Sequence, residues 1–185
     1  MFTKINKLSV FPRDKTLYIT TIISLIFTAI IFLLMRPVEA ELKSLTPYGV
    51  MELEFAWTIT QIDNILKAWG NSLISKEIGV TLLDFGFLMF YSTTMAGVTI
   101  ILTRKIFQET LKNWGYKIAL VPFLAAIFDV IENANLLLML TSPSSFPAFS
   151  PYVASICAMI KFSLLGVTAI FWLIGCVYTL LKRKN

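Results

Sequence analysis

The residues of this chain best placed to do chemistry are ionisable side chains set in apolar stretches: Asp84 in LLDFGFLMFYS, Asp129 and Glu132 in FDVIENANLL, and Lys161 in CAMIKFSLLG. A charge near the centre of a bilayer costs at least about 2.5 to 3.5 kcal/mol on insertion scales, so such residues are expected to face the protein interior and find partners there. Asp129, Glu132 and Asn133 stand at i, i+3 and i+4 and project from one helix face, while Asp84 shares a face with Tyr91. A tyrosine hydroxyl can donate to a carboxylate or line a polar track. Three carboxyls and one ammonium cannot all be ionised comfortably in a low dielectric, because like charges and desolvation both favour the neutral acid. At least one acid is expected to hold a proton, or a cation to complete the site, with Lys161 opposite Asp129 or Glu132. Such a cluster suits proton handling, cation binding or general acid–base work. The structural alternative is interhelical hydrogen-bond glue, worth about 0.6 to 2 kcal/mol per contact.

Histidine is absent, which excludes imidazole-ligated zinc or haem and any imidazole base within this chain. Cys157 and Cys176 fall in one predicted helix, roughly 28 Å apart at 1.5 Å rise per residue, and cannot bridge each other. No metal site and no cofactor is expected. Phosphate-binding glycine loops and nucleophile elbows are missing as well. The net charge of +5 comes from basic residues beside apolar stretches, with no basic stripe on a folded surface, so nucleic acid is not an expected partner.

The elements that must position these side chains are membrane spans. Apolar residues make up 57% of the chain and the mean hydropathy is +0.76, beyond what a water-facing globule of this size carries. Four runs are long enough to cross a hydrocarbon layer of about 30 Å: residues 17–35, 78–102, 118–140 and 153–181. The first is too long for a signal-peptide core and is expected to remain as an anchor. Lys4, Lys7, Arg13 and Lys15, the loop RKIFQETLKNWGYK, and the terminal Lys182, Arg183 and Lys184 all fall on one side of the resulting topology. The positive-inside rule places that side, with both termini, in the cytoplasm of a multi-pass cell (inner) membrane protein. The loop TSPSSFPAFSPY then lies outside, stiffened by Pro143, Pro147 and Pro151. In this orientation Asp84, Glu132, Lys161 and Asp129 sit at depths of roughly 9 to 17 Å from the outer edge, and they are expected to meet.

Residues 36–77 form the extracytoplasmic segment. Met51, Leu53, Phe55 and Trp57 alternate with Glu52, Glu54 and Ala56, which suggests a short extended stretch, with Tyr48, Glu52 and Glu54 on a solvated face. Thr58 followed by Gln61 is a capping-box pattern, and Ile59, Ile62, Ile65, Leu66 and Trp69 repeat at helical spacing until Gly70. Ile59, Ile62, Leu66 and Trp69 would form a membrane-interface edge or pack upon the spans.

The order YGVMELEF, the helix ending in Trp69, LLDFGFLMFYS and FDVIENANLL resembles a family of bacterial four-span membrane proteins without an established activity. The similarity covers most of the chain. Its most distinctive patterns are LDF with Tyr91, and DVIEN containing Asp129, Glu132 and Asn133. The resemblance implies topology and marks residues, but it supplies no reaction.

The expected fold is all-α: a four-transmembrane-helix bundle, one integral membrane domain over residues 1–185, with an amphipathic helix between spans one and two. The leading functional expectation is a binding or accessory subunit of a membrane assembly, with the bilayer and other subunits, or further copies of the chain, as partners. A proton- or cation-coupled transporter is the second reading, with Asp129 and Glu132 as coupling groups. An intramembrane enzyme acting on a lipid or isoprenoid ranks last, because no catalytic motif supports it.

Overall fold

The structure is a computed structural model describing residues 6–106 and 109–182, with side chains from 8 to 105 and from 111 to 178. Of the basic residues used for orientation, Lys4, Arg183 and Lys184 lie outside the described residues. After a 3-10 turn at Asn6–Ser9, the helices are α1 (Asp14–Leu45), α2 (Val50–Glu54), α3 (Ile59–Ile106), α4 (Glu109–Ile118), α5 (Val121–Thr141) and α6 (Ser150–Lys182). No strand occurs among the described residues. Four helical stretches are long and apolar enough to cross a membrane: Asp14–Leu45, Ile59–Lys105, Leu111–Thr141 and Ser150–Tyr178.

Three local expectations are corrected. The alternating segment near residue 51 is the helix α2, because its ends are held by side chains that a period-two pattern does not reveal. The Gly49 N–H donates to Glu52 Oε2 at 2.7 Å and the Val50 N–H to Glu39 Oε2 at 2.9 Å, while Leu53 and Ala56, three apart, turn into the core. The basic loop after residue 104 is helical from Glu109. Its Gly115 packs against Thr103 with no room for a Cβ, so glycine there permits a close approach that outweighs its poor helix propensity. Finally, α1 runs on past Met35 and through Pro37 to Leu45; an i,i+4 Glu39–Lys43 pair and the fully buried Leu42 support the added turns. Of the connector prolines, Pro143 and Pro147 precede α6, and Pro151 occupies its first turn, where a missing N–H does no harm.

The capping box at the start of α3 is present as spaced. Thr58 donates from N–H and hydroxyl to Gln61 Oε1, both at 3.1 Å, and the Gln61 N–H returns to Thr58 Oγ1 at 3.2 Å. Gly70 interrupts α3 with φ 64° and ψ 172°, a conformation that a Cβ disfavours. Helical order resumes after it, so the run expected to end at Gly70 is followed directly by the second span.

The chain divides into two compact units. The first comprises Met1–Thr28, Phe90–Ala126 and Phe162–Asn185; the second comprises Ala29–Met89 and Ile127–Lys161. In the first, Arg104 anchors the N-terminal segment: its guanidinium donates to the Leu8 carbonyl at 2.7 and 3.2 Å, to the Pro12 carbonyl at 2.9 Å and to Asp14 Oδ1 at 2.7 Å. Small hydroxyl residues fill this interior, among them Thr21, Thr99, Thr103 and Thr168, and the Trp172 indole donates to Thr99 Oγ1 at 2.9 Å. Such residues let membrane helices approach closely. The outer face of α1 is nearly all aliphatic, with Ile22, Ile23, Ile26, Ile30, Leu33 and Leu34 exposed.

The second unit holds the larger apolar core, built around Leu42, Leu53, Ile62, Trp69, Leu136, Met139 and Leu140. Ile62, Leu66 and Trp69 are buried in it, and the Trp69 indole donates to the Tyr48 carbonyl at 3.0 Å. The apolar edge of the short helix is therefore spent on protein, and of the four interface candidates only Ile59 stays exposed. Leu42 of α1 and Leu53 of α2 draw that edge inward by offering a closer-packed surface than headgroups can.

Candidate functional site

The polar cluster lies wholly within the second unit. On α5 the acids and the asparagine point inward. Asp129, Glu132 and Asn133 are buried, with Leu136, Met139 and Leu140 continuing the same face, whereas Ile127, Val130, Ile131 and Leu138 are exposed. A water-soluble helix would show the reverse; in lipid the apolar side chains form the outer surface and polar groups must find each other inside.

Within the second unit the buried face of α6 carries Ala154, Ser155, Cys157, Ala158 and Lys161. Long side chains on a helix lean toward its N-terminus, which carries the Lys161 ammonium back over these small residues. At that level Ser155 Oγ donates to the Glu54 carbonyl at 2.9 Å and pins the end of α2 against α6. Glu54 is thereby delivered beside the ammonium.

Lys161 Nζ donates to Glu132 Oε1 at 2.9 Å and to Asp129 Oδ1 at 3.1 Å, with Glu54 Oε1 at 3.6 Å. Glu132 Oε2 is equally near, at 2.9 Å, but lies off the hydrogen-bond direction. These side chains are almost closed to solvent: exposures are 0% for Glu132, 4% for Asp129, 7% for Lys161 and 12% for Glu54. Beside them Asn133 Nδ2 donates to Asp84 Oδ2 at 2.6 Å, joining α3 to α5 through a short hydrogen bond.

Asp84, Asp129, Glu132, Asn133 and Lys161 are thus brought together. Tyr91 is buried and belongs to the first unit. One acid beside the ammonium has no signal in the sequence pattern: an extended chain places Glu54 on the same face as Glu52, whereas in the helix the two are separated by about 200° of rotation. Glu77, at the edge of the expected extracytoplasmic segment, is buried on α3, seven residues before Asp84 and on the same helix face.

Among buried side-chain oxygens, Glu54 Oε2, Glu77 Oε2 and Glu132 Oε2 have no hydrogen-bond partner. Among the described residues no group of three or more acid, cysteine or histidine side chains has the arrangement to hold a metal ion. The site is therefore acid-rich without metal-like geometry.

Glu54 lies outside the spanning helices, and burial pushes its carboxyl above the ordinary range, against the opposing pull of Lys161 and with a further push from Asp129. A carboxyl raised in the folded state favours folding fully below its unfolded value, and that contribution is lost as pH rises through the folded value. In Glu54→Gln the loss of stability with rising pH should accordingly be shallower than in the wild type. Unfolding midpoints in detergent across an acid-to-neutral pH series measure this, and superimposable profiles would show that Glu54 titrates normally.

No protein-family model matches the chain, and no curated protein or solved structure is significantly similar to it.

Proposed function

We propose that this is a multi-pass inner-membrane protein that takes up and releases protons at the Glu54–Asp129–Glu132–Lys161 centre, serving as the coupling site of a small proton-coupled transporter. The observation that carries this reading is the excess of buried acid over buried base. Glu54 and Glu132 approach the same ammonium, and each keeps a buried oxygen without a hydrogen-bond partner. Two ionised carboxylates are acceptors only and repel; one proton held between them supplies the missing donor for both.

Simple interhelical glue does not call for this composition. One carboxylate per ammonium completes a structural ion pair, and each further acid adds desolvation without adding a cation. For that reason the coupling role is preferred to the accessory-subunit reading, in which the cluster would have no task. The orientation that fits has both termini in the cytoplasm and the centre in the outer half of the membrane. Four helices enclose little room for an aqueous path, so the working form is an oligomer of this chain.

The test is infrared difference spectroscopy of the protein in lipid between acidic and neutral pH. Wild-type protein should show a protonated-carboxyl band that comes and goes with pH, and Asp129→Asn combined with Glu132→Gln should abolish it and the associated proton flux in proteoliposomes. A wild-type spectrum without a titrating carboxyl, or a band and flux indifferent to the double substitution, would sink the proposal.

A further inference from the structure

A cavity of about 430 Å³ opens between α2 and the first turns of α3, wholly within the second unit and with no residue of the Lys161 centre in its lining. That volume falls within the roughly 300 to 1,000 Å³ typical of small-molecule sites. Tyr48, Phe55 and Ile65 give it aromatic and aliphatic walls, and Glu52, Gln61 and Asn64 bring polar groups to the same space. The walls are fixed by bonds to the rest of the unit. The Trp69 indole holds the Tyr48 carbonyl at 3.0 Å, the Ser155 hydroxyl holds the Glu54 carbonyl at 2.9 Å at the other end of α2, and Leu53 between them is fully buried. A cavity set in advance in this way spends little binding energy on ordering its own walls.

Its polar groups keep bonding capacity to spare. Glu52 Oε2 accepts from the Gly49 N–H at 2.7 Å, while its other oxygen takes no bond from the described residues. Gln61 commits its oxygen to Thr58 at 3.1 Å, which leaves its NH2 group as a donor, and the Asn64 amide makes no hydrogen bond among the described residues. No lysine or arginine lines the cavity. Lys43, which packs over Gly49, is paired with Glu39 at 2.6 Å. The fixed charge of the cavity is therefore the single negative charge of Glu52.

This lining selects by charge. An anion finds no counter-ion in it, and a zwitterionic lipid headgroup would bring its phosphate beside Glu52 with no cation to receive it. A small cation on an apolar body finds a carboxylate for its charge, two amides to fix its orientation, and the rings of Tyr48 and Phe55 for its apolar part and its cation–π attraction. We propose that the cavity between α2 and α3 binds a small organic cation, an ammonium group carried on an apolar body the size of one aromatic ring. The site goes beyond the proton-handling reading and stands without it, because the cavity and the Lys161 centre share the helix α2 but no side chain.

The experiment is titration calorimetry on the full-length protein in phosphatidylcholine nanodiscs, with empty nanodiscs as the blank. The probes are phenethylammonium, its neutral analogue phenethyl alcohol and the anion phenylacetate. The cation should give a saturable single-site heat, the alcohol should bind about tenfold more weakly, and the anion should not bind. Glu52→Gln keeps an acceptor for the Gly49 N–H and should weaken the cation about tenfold, the scale of one hydrogen bond to a charged group, while the alcohol is unaffected. Asn64→Trp, at an exposed position of the wall, fills the cavity and should abolish binding of both. Should Glu52→Gln fail to fold, the probe series and Asn64→Trp still decide the matter. No saturable heat in the wild type, equal affinity for all three probes, or wild-type affinity for the cation in Glu52→Gln or in Asn64→Trp would overturn the site. The infrared band of the Lys161 centre is measured separately, so its absence would remove the proton-handling reading and leave the cation site to be judged by these titrations.

Discussion

Lys161→Met should lower the stability of the folded protein by about 3 to 5 kcal/mol, the range seen when one partner is taken from a buried ion pair. The argument follows from the geometry of the centre. Methionine fills much of the lysine volume, so packing against Ala154, Cys157 and Ala158 is largely kept, but Asp129 and Glu132 lose a donor at 3.1 and 2.9 Å and Glu54 a cation at 3.6 Å. Three enclosed acids then lose the Lys161 ammonium at once, and further protonation or opening of the fold must offset that loss. The same reasoning predicts rescue. Adding Asp129→Asn and Glu132→Gln to Lys161→Met removes two of the stranded charges and should return more than half of the loss, since wholly neutral replacements of buried ionic groups are often tolerated. Unfolding titrations in mixed micelles measure both steps. A fully stable single substitution would mean that the ammonium is not the keystone of the cluster, and additive losses without rescue would mean that charge balance is not what holds it.

Gly97→Ala tests the first unit and should cost about 1 to 3 kcal/mol, as overpacking of a close-packed interior does. A Cβ at position 97 would overlap Thr21 Oγ1 and come within 3.0 Å of Thr21 Cβ and 3.1 Å of its Cγ2. The threonine cannot easily swing aside, because it is buried, branched at Cβ and committed to the Leu17 carbonyl at 2.7 Å. Combining the change with Thr21→Ala removes the obstructing atoms and should restore most of the stability. Thermal unfolding in detergent gives both values, and an unperturbed single variant would show that the two helices have slack at this crossing.

The parts of the fold visible in the sequence are those governed by bulk solvent transfer. The four apolar runs are long because hydrocarbon is thick, and the in-span acids stood out because charge in lipid is expensive wherever the chain goes. Asp129, Glu132, Asn133 and Lys161 could be connected by helical period and depth alone. What stayed hidden depended on a single tertiary contact. The helix over residues 50–54 is held in part by Glu39, eleven residues upstream, accepting from the Val50 N–H, and in that helix Glu54 turns toward Lys161. Trp69 and its neighbours have the pattern of a headgroup anchor, and only the position of Leu42 and Leu53 reveals that a protein surface claims them. For Glu77 the one usable signal is its seven-residue spacing from Asp84, because it stands at the boundary where the apolar run begins.

The inverted faces of the helices bear on how such a chain can change over time. Outward positions such as Ile22, Ile26, Ile30 and Leu33 on α1 have to be greasy but need not be any particular residue, so valine, leucine, phenylalanine and methionine are interchangeable currency there. Inward positions such as Asn133 and Lys161 answer to single atoms on specific neighbours, and almost no exchange leaves those atoms where they are. Mutational freedom on the outer faces therefore runs opposite to that of a globule in water: there the hydrophobic residues are the permissive ones, whereas the buried apolar core around Leu42 and Leu136 and the few inward polar groups are constrained by their neighbours.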